Sequence, residues 1–477
     1  WCRRNPLAAS MLGLAGVMAG LVFASVLVGY RQTTAALAVA EHNYELARDS
    51  VDTLYTDVSQ IDLENAPGMQ PLKQKLLRRS LGYYQRLLDG PAGDGRAGDA
   101  ELTTELAGNH FRVGSILADL GEAANAVGHL QTAADIQSDL LADRPDDAEL
   151  RLARSDSLNK LARAQLRRGD AEAARASFGE AKEIRSRLVE QRPGDRELRR
   201  KLASVEMNLG LLAARGGDYV SARESYDAAQ AVRLELLKEE ETPDVARDLA
   251  KGSFNLGVLH GREGRFAEAA AALRQAIARY ESLLAAEPES LAHRFSLGVA
   301  QFLLADMLRL AGDQPLATAA FDAAEANLRV LVDENPKVVA YQQELSRQQI
   351  GRAQLEIEQG QGEAQHAADD PSRLAASQRH YERAERSLAA AEQRLATLVE
   401  RNPSMVDYRY DLSVVRQMLG DIRLAFSDAE AARGLFTAAL ANIASQPDEG
   451  DFAELRRGIQ TSLDALRDAD VMGEEGL

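Results

Sequence analysis

The side chains best able to ligate a metal or move a proton are few. They are seven histidines, His42, His110, His129, His260, His293, His366 and His380, and one cysteine, Cys2. No histidine stands at metal-motif spacing from another or from the cysteine. No serine elbow or Cys-His pairing is present. Aspartate and glutamate are abundant, but carboxylates spread along helices form solvated faces far more often than acid–base pairs. Gly93-Asp94-Gly95-Arg96-Ala97-Gly98 formally matches a nucleotide-binding glycine pattern. No strand precedes it, so it reads as a linker. No catalytic residue, metal or cofactor is therefore expected. The net charge of -17 argues against nucleic acid, which wants a basic face. What remains is recognition. Arg167, Arg215 and Arg262 recur at spacings of 48 and 47 residues, with Asn208 and Asn255 nearby. A row of guanidinium groups suits carboxylates, either solvent-facing neighbours or an acidic peptide or C-terminal carboxylate. Asparagine amides suit a peptide backbone.

The same period runs through the elements that must position these residues. Glycines at Gly121, Gly169, Gly217, Gly264, Gly312 and Gly360 are spaced 48, 48, 47, 48 and 48 residues. Prolines close the units at Pro145, Pro193, Pro243, Pro288, Pro336, Pro403 and Pro447. Seven residues before each turn stands Gly114, Ala162, Gly210, Gly257, Ala305 or Ala353. After it come alanines at five and twelve and a large apolar residue at nine: Leu130, Phe178, Tyr226, Leu273, Phe321. Small side chains let two helices touch while one large side chain fills the gap beside them. This is a solenoid of helical hairpins. The last unit places Gly420, Ala432, Phe436 and Ala439 in register, with Ser427 where glycine stands elsewhere.

Asn208-Leu209-Gly210 and Asn255-Leu256-Gly257, with Ala222, Tyr226 and Ala229, resemble the tetratricopeptide repeat (TPR) family. The period departs from that family's 34 residues. Seven extra residues per helix add about two turns and leave the apolar face unrotated. The resemblance implies an all-α, TPR-like α-solenoid of long hairpins. It also implies a concave groove lined by first helices, with Arg167, Arg215 and Arg262 facing a protein or peptide partner.

Residues 1–6 precede an apolar stretch, residues 7–30, predicted to be a transmembrane helix. The chain carries no charge from Asn5 to Tyr30, long enough for a hydrocarbon core about 30 Å thick. A cleaved signal peptide is the rival. Gly13, Gly16, Gly20 and Ala24 form a small-residue face, either a dimer contact or the ordinary glycine content of such helices. Arg3 and Arg4 favour a cytoplasmic N-terminus and hence an extracytoplasmic array. Residues 31–88 read as connecting helices and an N-terminal cap, broken at Pro67-Gly68. Residues 89–100 read as a linker loop. Residues 101–447 hold seven repeat units, with an inserted loop near 361–379. Residues 448–477 are a capping helix, Phe452 to Leu466, and a tail.

Trp1-Cys2-Arg3-Arg4-Asn5-Pro6 resembles the junction after the catalytic domain of bacterial membrane-anchored Ser/Thr protein kinases. So do Val58-Ser59, Pro67-Gly68-Met69-Gln70-Pro71-Leu72, Leu76-Leu77 and Tyr83-Tyr84. The opening at Trp1 fits the C-terminal part of a longer chain. The resemblance implies the non-catalytic sensor or scaffold region of such a kinase, since no kinase motif lies in these residues. A stand-alone membrane-tethered TPR adaptor is the second reading and a helical-repeat enzyme the third.

Overall fold

The computed structural model describes residues 6–60, 70–89, 100–367, 370–403 and 405–474. Every regular element among them is an α-helix. In chain order these are α1 (Pro6–Gln60), α2 (Gln70–Asp89), α3 (Ala100–Asp119), α4 (Ala123–Asp143), α5 (Ala148–Arg168), α6 (Ala171–Gln191), α7 (Arg196–Arg215), α8 (Tyr219–Glu239), α9 (Pro243–Arg262), α10 (Phe266–Ala286), α11 (Leu291–Leu310), α12 (Gln314–Glu334), α13 (Val339–Gln365), α14 (Ser372–Arg401), α15 (Val406–Ala425), α16 (Ala429–Ile443) and α17 (Gly450–Glu474). From α3 to α16 the helices pair into seven antiparallel hairpins, each packed on the next.

The hairpin turns are set by backbone chemistry. Gly121, Gly169, Gly217, Gly264 and Gly312 take φ between +73° and +97°, a region that costs any residue with a Cβ. Each turn closes with a six-to-one hydrogen bond that satisfies an orphan carbonyl of the first helix. Asp170 N donates to Gln165 O at 2.9 Å, and Asp218 N, Asp313 N and Asp428 N repeat the bond. In the last unit Ser427 occupies the left-handed position itself, at φ 62°. Between hairpins, Asp147, Asp195, Thr242 and Ser290 cap α5, α7, α9 and α11 through their side chains. The residue six beyond a closing proline often latches that proline's carbonyl. Arg294, Gln342 and Arg409 donate to Pro288 O, Pro336 O and Pro403 O at 3.2, 3.2 and 2.7 Å.

The predicted seams form the core. An ideal Cβ on Gly114, Gly210, Gly257 or Gly420 would lie 2.5–2.6 Å from Leu130, Tyr226, Leu273 or Phe436. The small residue thus makes the slot for the large one. The alanines that flank the large residue are fully buried in all seven units, from Ala126 and Ala133 to Ala432 and Ala439.

Two expectations are corrected. Gly360 is not a turn: α13 runs through it, and a Cβ placed there would lie 3.3 Å from His380 Cβ and Ser377 O of α14. The insertion near 361–379 is not a loop either. Compared with α11 and α12, α13 has 27 residues instead of 20 and α14 has 30 instead of 21. Helix α13 ends at Gln365 and α14 begins at Ser372. Adding length at a hairpin tip leaves the register intact, and Ala384, Leu388 and Ala391 take their places fully buried.

At the N-terminal end, the apolar stretch and the helix after it are one element, α1. Its most apolar window is Leu14–Ala36, 23 residues with mean hydropathy 1.7 and none of it buried. This is the one described helix long and apolar enough to cross a membrane, and its window lies a few residues beyond the predicted 7–30. Val51 of α1 and Leu76 and Leu81 of α2 pack against the first core cluster. Pro67-Gly68 and the 90–98 linker lie outside the described residues. At the other end, Leu455, Ile459 and Leu466 of α17 cover α16. That helix continues to Glu474, past the expected start of the tail at Val471.

Candidate interaction groove

The first helices of the early units line a groove of about 550 Å³. Phe111 comes from α3, Asn159 from α5, Met207 and Asn208 from α7, and Asn255 from α9. Asn208 Nδ2 donates to Asn159 Oδ1 at 3.2 Å, and Asn255 Nδ2 lies 3.3 Å from Met207 Sδ. Helix-to-helix stacking therefore sets a file of amides along the groove, each able to bond a peptide backbone. Asn208 and Asn255 are among the residues that line the groove.

The three arginines of the predicted row do not line this cavity. Arg167 Nη1 donates to Ala118 O at 2.5 Å, and Arg262 Nη1 to Ala214 O at 3.5 Å. Both carbonyls lie in the last turn of the first helix of the preceding unit, where intrahelical donors run out and the helix dipole is negative; each also accepts a turn N–H, from Gly121 and Gly217. These guanidinium groups staple one hairpin to the last. Arg215 is exposed at the equivalent place. Burial pushes the Tyr226 hydroxyl up to about 12, although the positive charges of Arg262 and Arg215 oppose the rise.

The charge in the groove comes from other residues. Lys160, Arg163, Arg185, Lys201, Arg233 and Lys251 line it, against the single carboxylate of Asp156. Arg185 and Arg233 belong to the second helices α6 and α8 and reach the groove from below, 2% and 4% exposed. Sequence reasoning missed them. Their signal was a column spaced 48, 47 and 48 residues, Arg185, Arg233, Tyr280, Leu328, in which charge replaces an apolar residue. Asp156 accepts from Arg185 Nη2 at 2.6 Å and from Lys201 Nζ at 2.7 Å. Burial lowers the pKa of Lys160, with Asp119 and Asp156 working against the shift. Burial likewise lowers those of Arg185 and Arg233.

A second cleft, also about 550 Å³, opens between α2, α3 and α4. There His110 Nδ1 and His129 Nδ1 meet at 3.1 Å, although 19 residues separate them. Burial lowers the pKa of both, and for His110 the neighbouring His129 lowers it further. Among the described residues no group of three or more His, Cys, Asp and Glu is placed to hold a metal ion. In the lengthened unit, buried Glu356 accepts from His380 Nδ1 at 2.7 Å and Arg383 Nε at 2.9 Å, and pairs with Arg352 at 3.2 Å. The contacts of His380 and Arg383 join α14 to α13, and the Arg352 pair lies within α13.

A tetratricopeptide repeat profile matches residues 250–282, most of the hairpin α9–α10 including Asn255-Leu256-Gly257. Among solved structures, BtubC (BKLC) from P. vanneervenii is 19% identical over 54% of this chain and 92% of its own, with TM-score 0.43. A tetratricopeptide repeat protein from Parabacteroides merdae is 14% identical over 74% and 98%, with TM-score 0.37. The apo quorum sensor NprR from B. thuringiensis is 11% identical over 84% and 95%, with TM-score 0.45. No curated protein matches the chain. The fold is an all-α solenoid of helical hairpins, one of which matches the tetratricopeptide repeat profile.

Proposed function

We propose that this chain is a membrane-tethered interaction scaffold whose groove over α5, α7 and α9 holds an extended polypeptide. The observation that carries this is the file of Asn159, Asn208 and Asn255 along one cavity. Side-chain amides donate and accept at once, as an extended backbone requires. Of the predicted residues, Asn208 and Asn255 are the contacts, while Arg167 and Arg262 hold the groove's shape and Arg215 stands at its rim. The apolar window of α1 supplies the tether.

A photo-crosslinking residue at Asn255 in the full chain, compared with one at exposed Arg187 on α6, tests the groove. Asn255 should give one defined crosslinked polypeptide and Arg187 none. Equal capture at both positions, or none at Asn255, defeats the reading. The resemblance around residues 1–6 and 58–84 supports a further step: the array as the extracytoplasmic sensing region of a Ser/Thr protein kinase. Kinase motifs in the codons upstream of Trp1 are the expected finding. A start codon and signal sequence there would instead favour the stand-alone adaptor.

A further inference from the structure

Arg185 and Arg233 are the same residue of successive hairpins, 48 positions apart, yet they are not equally satisfied. Arg185 has three kinds of partner. Its Nε donates to Ser155 Oγ at 3.1 Å, its Nη2 to Asp156 Oδ1 at 2.6 Å, and its Nη1 to Lys201 O at 2.7 Å. Forty-eight residues on from Ser155 and Asp156 stand Ala203 and Ser204. Arg233 therefore keeps only the third bond, Nη1 to Asp248 O at 2.9 Å. Its Nε is buried with no acceptor. The Ser204 hydroxyl is turned to Arg200 O, and the Asp248 carboxylate is held by Arg200 Nε at 3.0 Å. An interior charge normally carries its own counter-charge, because desolvation without one is costly. Arg233 lines the groove beside Lys201 and Lys251.

We infer that Arg233 is the seat for a carboxylate side chain of an acidic peptide, which enters the place that Asp156 fills for Arg185. This rests on the groove being a polypeptide site and adds the chemical class of the ligand. A guanidinium edge offers two parallel donors, the geometry that suits a carboxylate best. Lys160, Arg163 and Lys251 extend the positive field along the groove, in a chain whose net charge is -17. That overall charge repels a long polyanion such as nucleic acid while leaving a local positive lane for a short acidic segment.

The test uses the full chain in detergent and fluorescein-labelled hexaglutamate with an amidated C-terminus, read by fluorescence anisotropy. Arg233→Met keeps the stem and removes the charge, and it should weaken hexaglutamate binding at least tenfold. Ser204→Asp should do the same by placing a carboxylate inside the hairpin, and it should raise the Tm. Arg233→Met should leave the Tm unchanged or higher, since it removes a buried charge that no carboxylate hydrogen-bonds, Asp248 acting on it only through space. Unchanged affinity in both variants overturns the inference, as does a Tm that falls in Arg233→Met with affinity intact. A Gly-Ser hexapeptide bound as tightly as hexaglutamate would keep the groove and overturn its charge preference. Decathymidylate bound more tightly than hexaglutamate would overturn the assignment to peptide. Failure to bind hexaglutamate, with Asn255 crosslinking intact, rejects the acidic ligand alone. Loss of the Asn255 crosslink rejects the groove itself.

Discussion

Replacing Gly210 by alanine tests the packing rule that builds every hairpin. The new Cβ would stand 2.6 Å from Tyr226 Cδ1 and Cε1 and 3.1 Å from Ala222 O. Carbon atoms at rest lie about 3.5–4.0 Å apart, so the ring must retreat by about 1 Å. Tyr226 is 2% exposed and has little room to do so. Overpacking of this kind costs about 1–3 kcal/mol. The helix gains about 1 kcal/mol from losing a glycine, which leaves a net loss of about 0–2 kcal/mol. Gly179 in α6 is the internal control, because a Cβ there meets nothing within 4 Å. Gly179→Ala should gain about 0.5–1 kcal/mol. The propensity gain is common to both variants, so their difference, about 1–3 kcal/mol, reports the contact. Urea unfolding followed by circular dichroism, with hydrogen exchange of α7 and α8 amides, reads it unit by unit. Alanine already fills this position in three units, at Ala162, Ala305 and Ala353, each fully buried. If Gly210→Ala matched Gly179→Ala, unit three would be free to adopt that spacing, and the argument from close approach would fall.

Ser427→Gly should stabilise the last hairpin by about 1 kcal/mol, since φ 62° strains a residue with a Cβ; Gly217→Ala should cost about 1–2 kcal/mol by the same logic. Asp195→Ala removes the acceptor for Leu198 N, 3.0 Å away, and should cost about 1 kcal/mol in a urea melt. Burial holds the folded pKa values of His110 and His129 below that of a free imidazole. The unfolded chain therefore takes up protons first as pH falls. Stability should decline as pH drops through about 6.5 and level off below the folded values. Ring-proton NMR titration and melts from pH 7.5 to 5 check this, and His129→Gln should flatten the dependence.

The repeat was legible because it rests on local rules. A left-handed turn calls for glycine, and a close helix pair calls for a small residue facing a large one. Both leave marks at fixed intervals, and even Ser427 declared itself by position. Gly360 misled because the interval alone cannot tell a turn glycine from one that lets α14 approach within a helix. The Arg167, Arg215, Arg262 row misled for a different reason. A residue in the last turn of a helix lies near both the groove rim and the last carbonyls of the previous unit's first helix. Which of these it meets depends on side-chain reach across units, and a single sequence does not encode that choice legibly. Arg233 was visible only as a polar residue in a column otherwise turning apolar. Its importance lies in what Ala203 and Ser204 fail to provide, a comparison that needs the hairpins superposed.

The lengthened pair α13–α14 also shows where this architecture accepts cargo. Extra residues near 361–379 lengthen both helices while Ala384 and Ala391 downstream stay fully buried. The short connections at Gly121, Gly169, Gly217, Gly264 and Gly312 occupy the same position in their own units. A fluorescent reporter or an entire foreign module spliced between His366 and Pro371 should thus ride on the scaffold while the neighbouring hairpins keep their register.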